Sequence, residues 1–185
     1  IKPDVQRVIS VVGTRNATTY GKDLTESLIR DLALHFPDLL VLSGLAYGID
    51  ICAHRSALQN QLPTIGVLAH GLDRIYPAIH RNTAVEMLQQ GGLITDFPSG
   101  TNPDKQNFIK RNRIVAGLSD ATLVVESSSK GGSLITADIA FSYGRDVYCF
   151  PGRVADEQSK GCNKLIRENK AGLITCAADL IAALR

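Results

Sequence analysis

Hydrophobic positions along the 185-residue chain fall into two alternating kinds of segment. Short apolar runs stop at glycine or another turn residue: Val8-Ile9-Ser10-Val11-Val12 before Gly13, Leu39-Leu40-Val41-Leu42 before Ser43-Gly44, and Thr64-Ile65-Gly66-Val67-Leu68 near Gly71. Leu93-Ile94-Thr95 ends at Asp96-Phe97-Pro98, Thr122-Leu123-Val124-Val125 at Glu126-Ser127, and Val147-Tyr148-Cys149-Phe150 at Pro151-Gly152. Runs without polar alternation predict strands buried on both faces, as in a parallel sheet. Between them apolar residues recur at helical spacing, first at Leu24, Leu28, Ile29, Leu32 and Phe36, then at Ile49, Ala53, Ala57 and Leu58. Thr83 to Gln90, Leu134 to Tyr143 and Ala178 to Leu184 predict three more helices. Repeated strand-helix-strand order implies right-handed crossovers. The expected fold is α/β: an extended Rossmann-like, doubly wound, mostly parallel sheet with helices on both faces. Residues 1–185 read as one domain, with no internal repeat, low-complexity stretch or linker.

Composition narrows the class only a little further. With 44% hydrophobic and 21% charged residues the chain matches an ordinary globular domain. At this length it can bury roughly 70% of its unfolded surface. Sixteen glycines and few aromatics, with no Trp, suit tight strand-to-helix turns. No apolar run approaches the ~20 residues of a membrane span, so no membrane partner is expected. The start, Ile1-Lys2-Pro3-Asp4, has neither an initiator methionine nor a signal peptide, and reads as the edge of a piece of a longer protein. Cys52, Cys149, Cys162 and Cys176 form no CxxC pair and sit among apolar neighbours, so buried free thiols in a reducing cytoplasm are expected. The four histidines lack metal-ligand spacing, and neither a metal nor a cofactor is expected.

Net charge is +2, from 20 basic and 18 acidic side chains, so any anion site must come from local placement. Two expected connections are long, residues 69–82 and 97–112. Both leave the carboxyl ends of strands, where open α/β sheets bind ligands, as does Gly13-Thr14-Arg15-Asn16. That first turn is not GxGxxG, and no Walker A loop is present, which disfavours dinucleotide and P-loop chemistry. Arg15 still offers a fork of donors suited to phosphate. The segment Lys105-Gln106-Asn107-Phe108-Ile109-Lys110-Arg111-Asn112-Arg113 carries four cations around one phenylalanine and reads as a basic turn feeding a helix. Its cations suit phosphates, and an exposed Phe108 could stack a base. Alternatively Phe108 is simply buried, and Arg111 or Arg113 sits in structural ion pairs. Ser127-Ser128-Ser129-Lys130-Gly131-Gly132-Ser133 opens another helix, where free N–H groups attract anions, although Ser133 could be only an N-cap. Asp50 and His54, one helical turn apart, resemble an acid–base pair, but a structural hydrogen bond is the commoner outcome. Asp73 and Tyr76-Pro77 read as loop-shaping residues.

Together these motifs resemble the DprA/Smf family of bacterial DNA-processing proteins. The matching string includes Gly13-Thr14-Arg15, the run Ser43 to Asp50, Ala53-His54-Arg55, Gly71 to Pro77 and Phe108 to Ser119. It continues with Gly132 to Ala137, Gly144-Arg145 and Phe150-Pro151-Gly152. The resemblance covers nearly the whole chain in order. It implies a non-catalytic domain that binds single-stranded DNA without sequence preference, forms homodimers, and hands incoming DNA to RecA during natural transformation. The family's pocket carries over to Arg15, Lys105, Phe108, Arg111 and Arg113, with Gly131 to Ser133 beside it. Gly131-Gly132-Ser133 stands where the family commonly has serine-glycine-serine, and Ile109-Lys110 covers a stretch that commonly holds a proline. The rival reading is a nucleoside-monophosphate hydrolase resembling the lysine-decarboxylase-like proteins. Their glycine-rich loop is not matched by Lys130 to Ile135, and Glu126 is the only nearby carboxylate of the required kind.

Overall fold

A computed structural model describes residues 7–184. Seven strands form one sheet: β1 (Val8–Val12), β2 (Leu40–Ser43), β3 (Thr64–Val67), β4 (Gly92–Ile94), β5 (Ala121–Val124), β6 (Asp146–Cys149) and β7 (Gly172–Leu173). The spatial order is β4-β3-β2-β1-β5-β6-β7, and every neighbouring pair is parallel. The chain winds outward from β1 to β4, returns to pair β5 with β1, and winds outward again. The topological switch therefore lies between the carboxyl ends of β1 and β5. The fold is α/β, doubly wound and Rossmann-like.

Strand alternation distributes the core between two faces. Ile9, Val11 and Val41 pack with Leu28, Ile29 and Leu32 of α1 (Thr19–His35), Ala53 and Ala57 of α2 (Ile49–Gln59), and Leu180 of α7 (Ala177–Ala183). Val12, Leu40, Leu42, Ile65 and Val67 point the other way. They meet Val115 and Ala116 of α4 (Lys105–Gly117), Ala137 and Ala140 of α5 (Gly132–Ser142), and Cys162 and Leu165 of α6 (Lys160–Arg167). A smaller cluster joins Met87 of α3 (Arg81–Gln90) to Leu45, Ile51 and Leu68. Between β1 and β5, Ser10 Oγ donates to Thr122 Oγ1 at 2.8 Å, so this polar pair is satisfied within the core.

Several expectations need correction. The basic segment is not a turn: helix α4 begins at Lys105, so the preceding connection is shorter than expected. Helix α6 and the two-residue β7 add to the expected elements. Cys52, Cys149 and Cys162 are buried free thiols, but Cys176 is exposed, because it precedes α7 instead of packing with it. No helix among the described residues is long and apolar enough to cross a membrane.

Candidate functional site

The turn after β1 is held in place by Glu126, at the end of β5. Its buried carboxylate accepts from Thr18 N (2.9 Å) and Thr18 Oγ1 (2.6 Å), while its carbonyl accepts from Thr14 N (2.8 Å). Thr18 in turn caps α1 by accepting from Gly21 N. Both oxygens of the one carboxylate that the hydrolase reading would use are thus engaged in fixing a loop. Gly48, with φ of +76°, lies against the Thr14 and Arg15 carbonyls from the other side, where a Cβ has no room. Arg15 is exposed at the tip of this doubly braced turn.

Beside it opens a cavity of about 600 Å³ at the switch point. Gly13, Thr14 and Arg15 line one side, Gly44, Ala46 and Asp50 the floor, and Lys105, Phe108, Ile109, Arg111, Asn112 and Val115 of α4 a wall. Lys130, Gly131, Gly132, Ser133, Ile135 and Thr136 complete it. In the first turn of α5, Leu134 N donates to Gly131 O at 3.1 Å, whereas the N–H groups of Gly132 and Ser133 have no intrahelical partner and no side chain caps them. Ser133 Oγ donates to Ser127 Oγ at 2.9 Å, and a Cβ on Gly131 would strike that same Ser127 hydroxyl. The loop is therefore packed into shape while Gly131, Gly132 and Ser133 line the cavity. Its donors, Arg15, Lys105 and Lys130 together suit an anion.

The aromatic centre of the site is Phe108, half-buried. Arg15 Cζ lies 5.1 Å from its ring centroid, Arg111 Cζ 6.0 Å, and the Tyr76 ring 5.9 Å. Tyr76 is thus more than a loop-shaping residue. Asp73 does shape the loop, accepting from Gly100 N (2.8 Å) and from the Arg74 guanidinium.

The cations of α4 have separate fates. Lys105 and Asn112 share the cavity-facing side with Phe108. Lys110 is exposed and outside the lining, and Arg113 pairs with Asp96 on the surface, also outside it. Arg111 is only 4% exposed. Its guanidinium donates to the carbonyls of Gly44 (2.8 Å) and Val67, the ends of β2 and β3, and to Asn112 Oδ1. Asp50 is its counter-charge and also accepts from Gly44 N (3.1 Å) and Ala46 N (3.4 Å). Burial pushes the Asp50 carboxyl above its ordinary range, and Arg111 opposes that shift. Arg111 therefore fixes the cavity floor through Nε and Nη1, while its side chain also lines the cavity. Bonds to strand-end carbonyls, with Asp50 as a nearby counter-charge, give the side chain a bracing role. His54 makes no bond to Asp50; its Nδ1 meets Thr64 Oγ1 at 2.7 Å, and burial lowers its pKa to about 3.

The whole chain, residues 1–185, matches the family model for DNA recombination-mediator protein A. A putative DNA processing protein DprA from Mycobacterium tuberculosis is 42% identical over 95% of this chain, which covers 44% of that protein. The chain spans about half the length of the curated relatives it matches. DNA processing protein A from Streptococcus pneumoniae superposes with a TM-score of 0.86 at 38% identity, over 95% of this chain and 61% of that one. The Helicobacter pylori protein, whose structure was described for a unique single-stranded DNA binding mode, gives 0.88 at 31% identity, over 98% and 81%.

Proposed function

The chain belongs to the DNA recombination-mediator protein A family, and from that premise we propose that its switch-point cavity binds single-stranded DNA without catalysing a reaction. The observation that carries this reading is Phe108 at the cavity wall, with Arg15 over its ring and Lys105 and Lys130 lining the same space. Arg15 is an exposed side chain that can swing from the ring to a phosphate, uncovering the ring for a base. Lys105, Lys130 and the first turn of α5 take further phosphate oxygens. These contacts address backbone and ring faces, so the binding is sequence-independent. Bases inside a duplex are not available to Phe108, which selects single strands. The engaged carboxylate of Glu126 and the separation of His54 from Asp50 favour binding over hydrolysis. In the cell this activity protects incoming DNA in the cytoplasm and aids its transfer to RecA during natural transformation, with the protein acting as a homodimer.

Fluorescence anisotropy of a labelled single strand across a salt series, beside duplex DNA, tests the proposal. Expected are preference for the single strand and a steep salt slope, with weaker binding and a shallower slope for the Arg15→Ala, Lys105→Ala double variant. Equal binding by that variant at every salt concentration would overturn it.

A further inference from the structure

Outside the cavity lining, two exposed tyrosines stand on the β2–α2 turn and the loop after β3. Tyr76 is 42% exposed, and its ring meets Phe108 at 5.9 Å, tilted by 51°. Tyr47 is 46% exposed and lies between Ala46, which lines the cavity, and Gly48, which braces the Arg15 turn. Its ring packs edge-on against His80 at 5.1 Å. His80 is buried, approaches Leu45 O through Nδ1 at 2.9 Å, and follows Tyr76 by four positions. The two phenol rings are therefore mounted on one braced unit formed by the β2–α2 turn and the loop after β3. Each keeps nearly half its surface in solvent, and neither phenol oxygen has a hydrogen-bond partner among the described residues.

We propose that Tyr76 and Tyr47 form a stacking ledge that receives the nucleobases of the single strand after it leaves Phe108. The inference rests on the strand path proposed above and extends it. Phe108 is continuous with Tyr76, and Tyr47 adjoins the cavity through Ala46, so a strand leaving the cavity on this side meets aromatic faces in succession. Rings of this kind hold bases without reading them. The ledge carries no dense cationic cluster of its own: Arg74 is paired with Asp73 and Asn102. It therefore contributes through bases, with little added salt dependence, whereas the cavity contributes through phosphates.

The chain has no tryptophan and five tyrosines, so its intrinsic emission is tyrosine emission, and the difference from a Tyr47→Phe/Tyr76→Phe pair isolates the ledge. Binding of oligothymidylates of about four and about twenty nucleotides is compared for the unaltered chain, Tyr47→Ala/Tyr76→Ala, Tyr47→Phe/Tyr76→Phe, and Arg15→Ala/Lys105→Ala. The alanine pair is expected to weaken the long strand about 5-fold or more, to spare the short strand, and to leave the salt slope unchanged. The phenylalanine pair should retain affinity and lose the extra tyrosine quenching that the long strand causes. Equal affinity of the alanine pair for the long strand, with Arg15→Ala/Lys105→Ala still weakened on both strands, would remove the ledge and leave the cavity reading intact. Equal losses on both strands would place Tyr76 as a support for Phe108 and also overturn the ledge. Unchanged binding by the arginine-lysine variant would overturn the cavity reading itself.

Discussion

Replacing Arg111 by methionine separates a structural cation from a phosphate ligand. The guanidinium is almost fully buried, donates to two strand-end carbonyls, and faces the buried carboxylate of Asp50. Methionine keeps much of the length and removes the charge and every donor. Breaking a buried pair from one side costs about 3–5 kcal/mol, because the remaining charge is left uncompensated. For a chain of this size each kcal/mol is worth roughly 2–4 °C, so the thermal midpoint should fall by roughly 6–20 °C. Adding Asp50→Asn removes the stranded charge, and the double variant should be more stable than the sum of the single losses by at least about 1 kcal/mol. Binding is then measured well below the lowered midpoint. Loss of Lys105 should shallow the salt slope by about 0.7, the value for one single-strand phosphate contact, while Arg111→Met should leave the slope where it was. A stability change under about 1 kcal/mol, with a slope reduced as in Lys105→Ala, would refute this account and make Arg111 a phosphate ligand.

Two other outcomes follow from the same geometry. Buried His54 has its pKa lowered from 6.5 to about 3, so the unfolded chain takes up a proton that the folded chain refuses. Stability is therefore complete above pH 6.5 and falls by about 1.4 kcal/mol per pH unit as pH drops toward the folded value. Urea titrations from pH 7 to 4.5 should show this slope, reduced in His54→Gln; identical slopes would remove His54 as its source. Gly48→Ala forces a side chain into a glycine-only backbone conformation and against the Thr14 and Arg15 carbonyls. It should cost about 1–3 kcal/mol and weaken single-strand binding by displacing Arg15, and a melt and an anisotropy titration that both match the unaltered chain would contradict the bracing role.

Most of the sheet was legible because strands covered on both faces cannot hide their apolar runs. Val8 to Val12 and Leu40 to Leu42 supply side chains to both helical layers, and little but a strand does so in four or five residues. The elements that escaped notice lack this constraint. Helix α6 buries only Gly161, Cys162 and Leu165 among charged neighbours, and both residues of edge strand β7 are exposed. The start of α4 was obscured for a related reason: its first turn, Lys105-Gln106-Asn107, has no apolar residue to set the period.

The same helix shows how far charge alone could be read. Four cations in one segment suggested a basic patch, yet a chain with net charge +2 must also neutralise its cations somewhere. Helical phase makes the division. Lys105, Phe108, Asn112 and Val115 follow a three-four-three spacing and share a side, whereas Lys110 and Arg113 project away from it. Arg111, three residues after Phe108 and four before Val115, lies on the same side deeper toward the strand ends, so its burial was latent in the spacing. Its partners were not, because the Gly44 and Val67 carbonyls follow different strands and come together at Arg111 only when β2 and β3 pair in register. Tyr76 escaped for the same reason: nothing local to Tyr76-Pro77 reveals that β3 and β4 bring its ring to Phe108. Local sequence therefore exposes the residues that offer charge to solvent. The residues that orient them come from separate crossovers and meet only at the strand ends, where carbonyls hold Arg111 and the other cations lining the cavity are Arg15, Lys105 and Lys130.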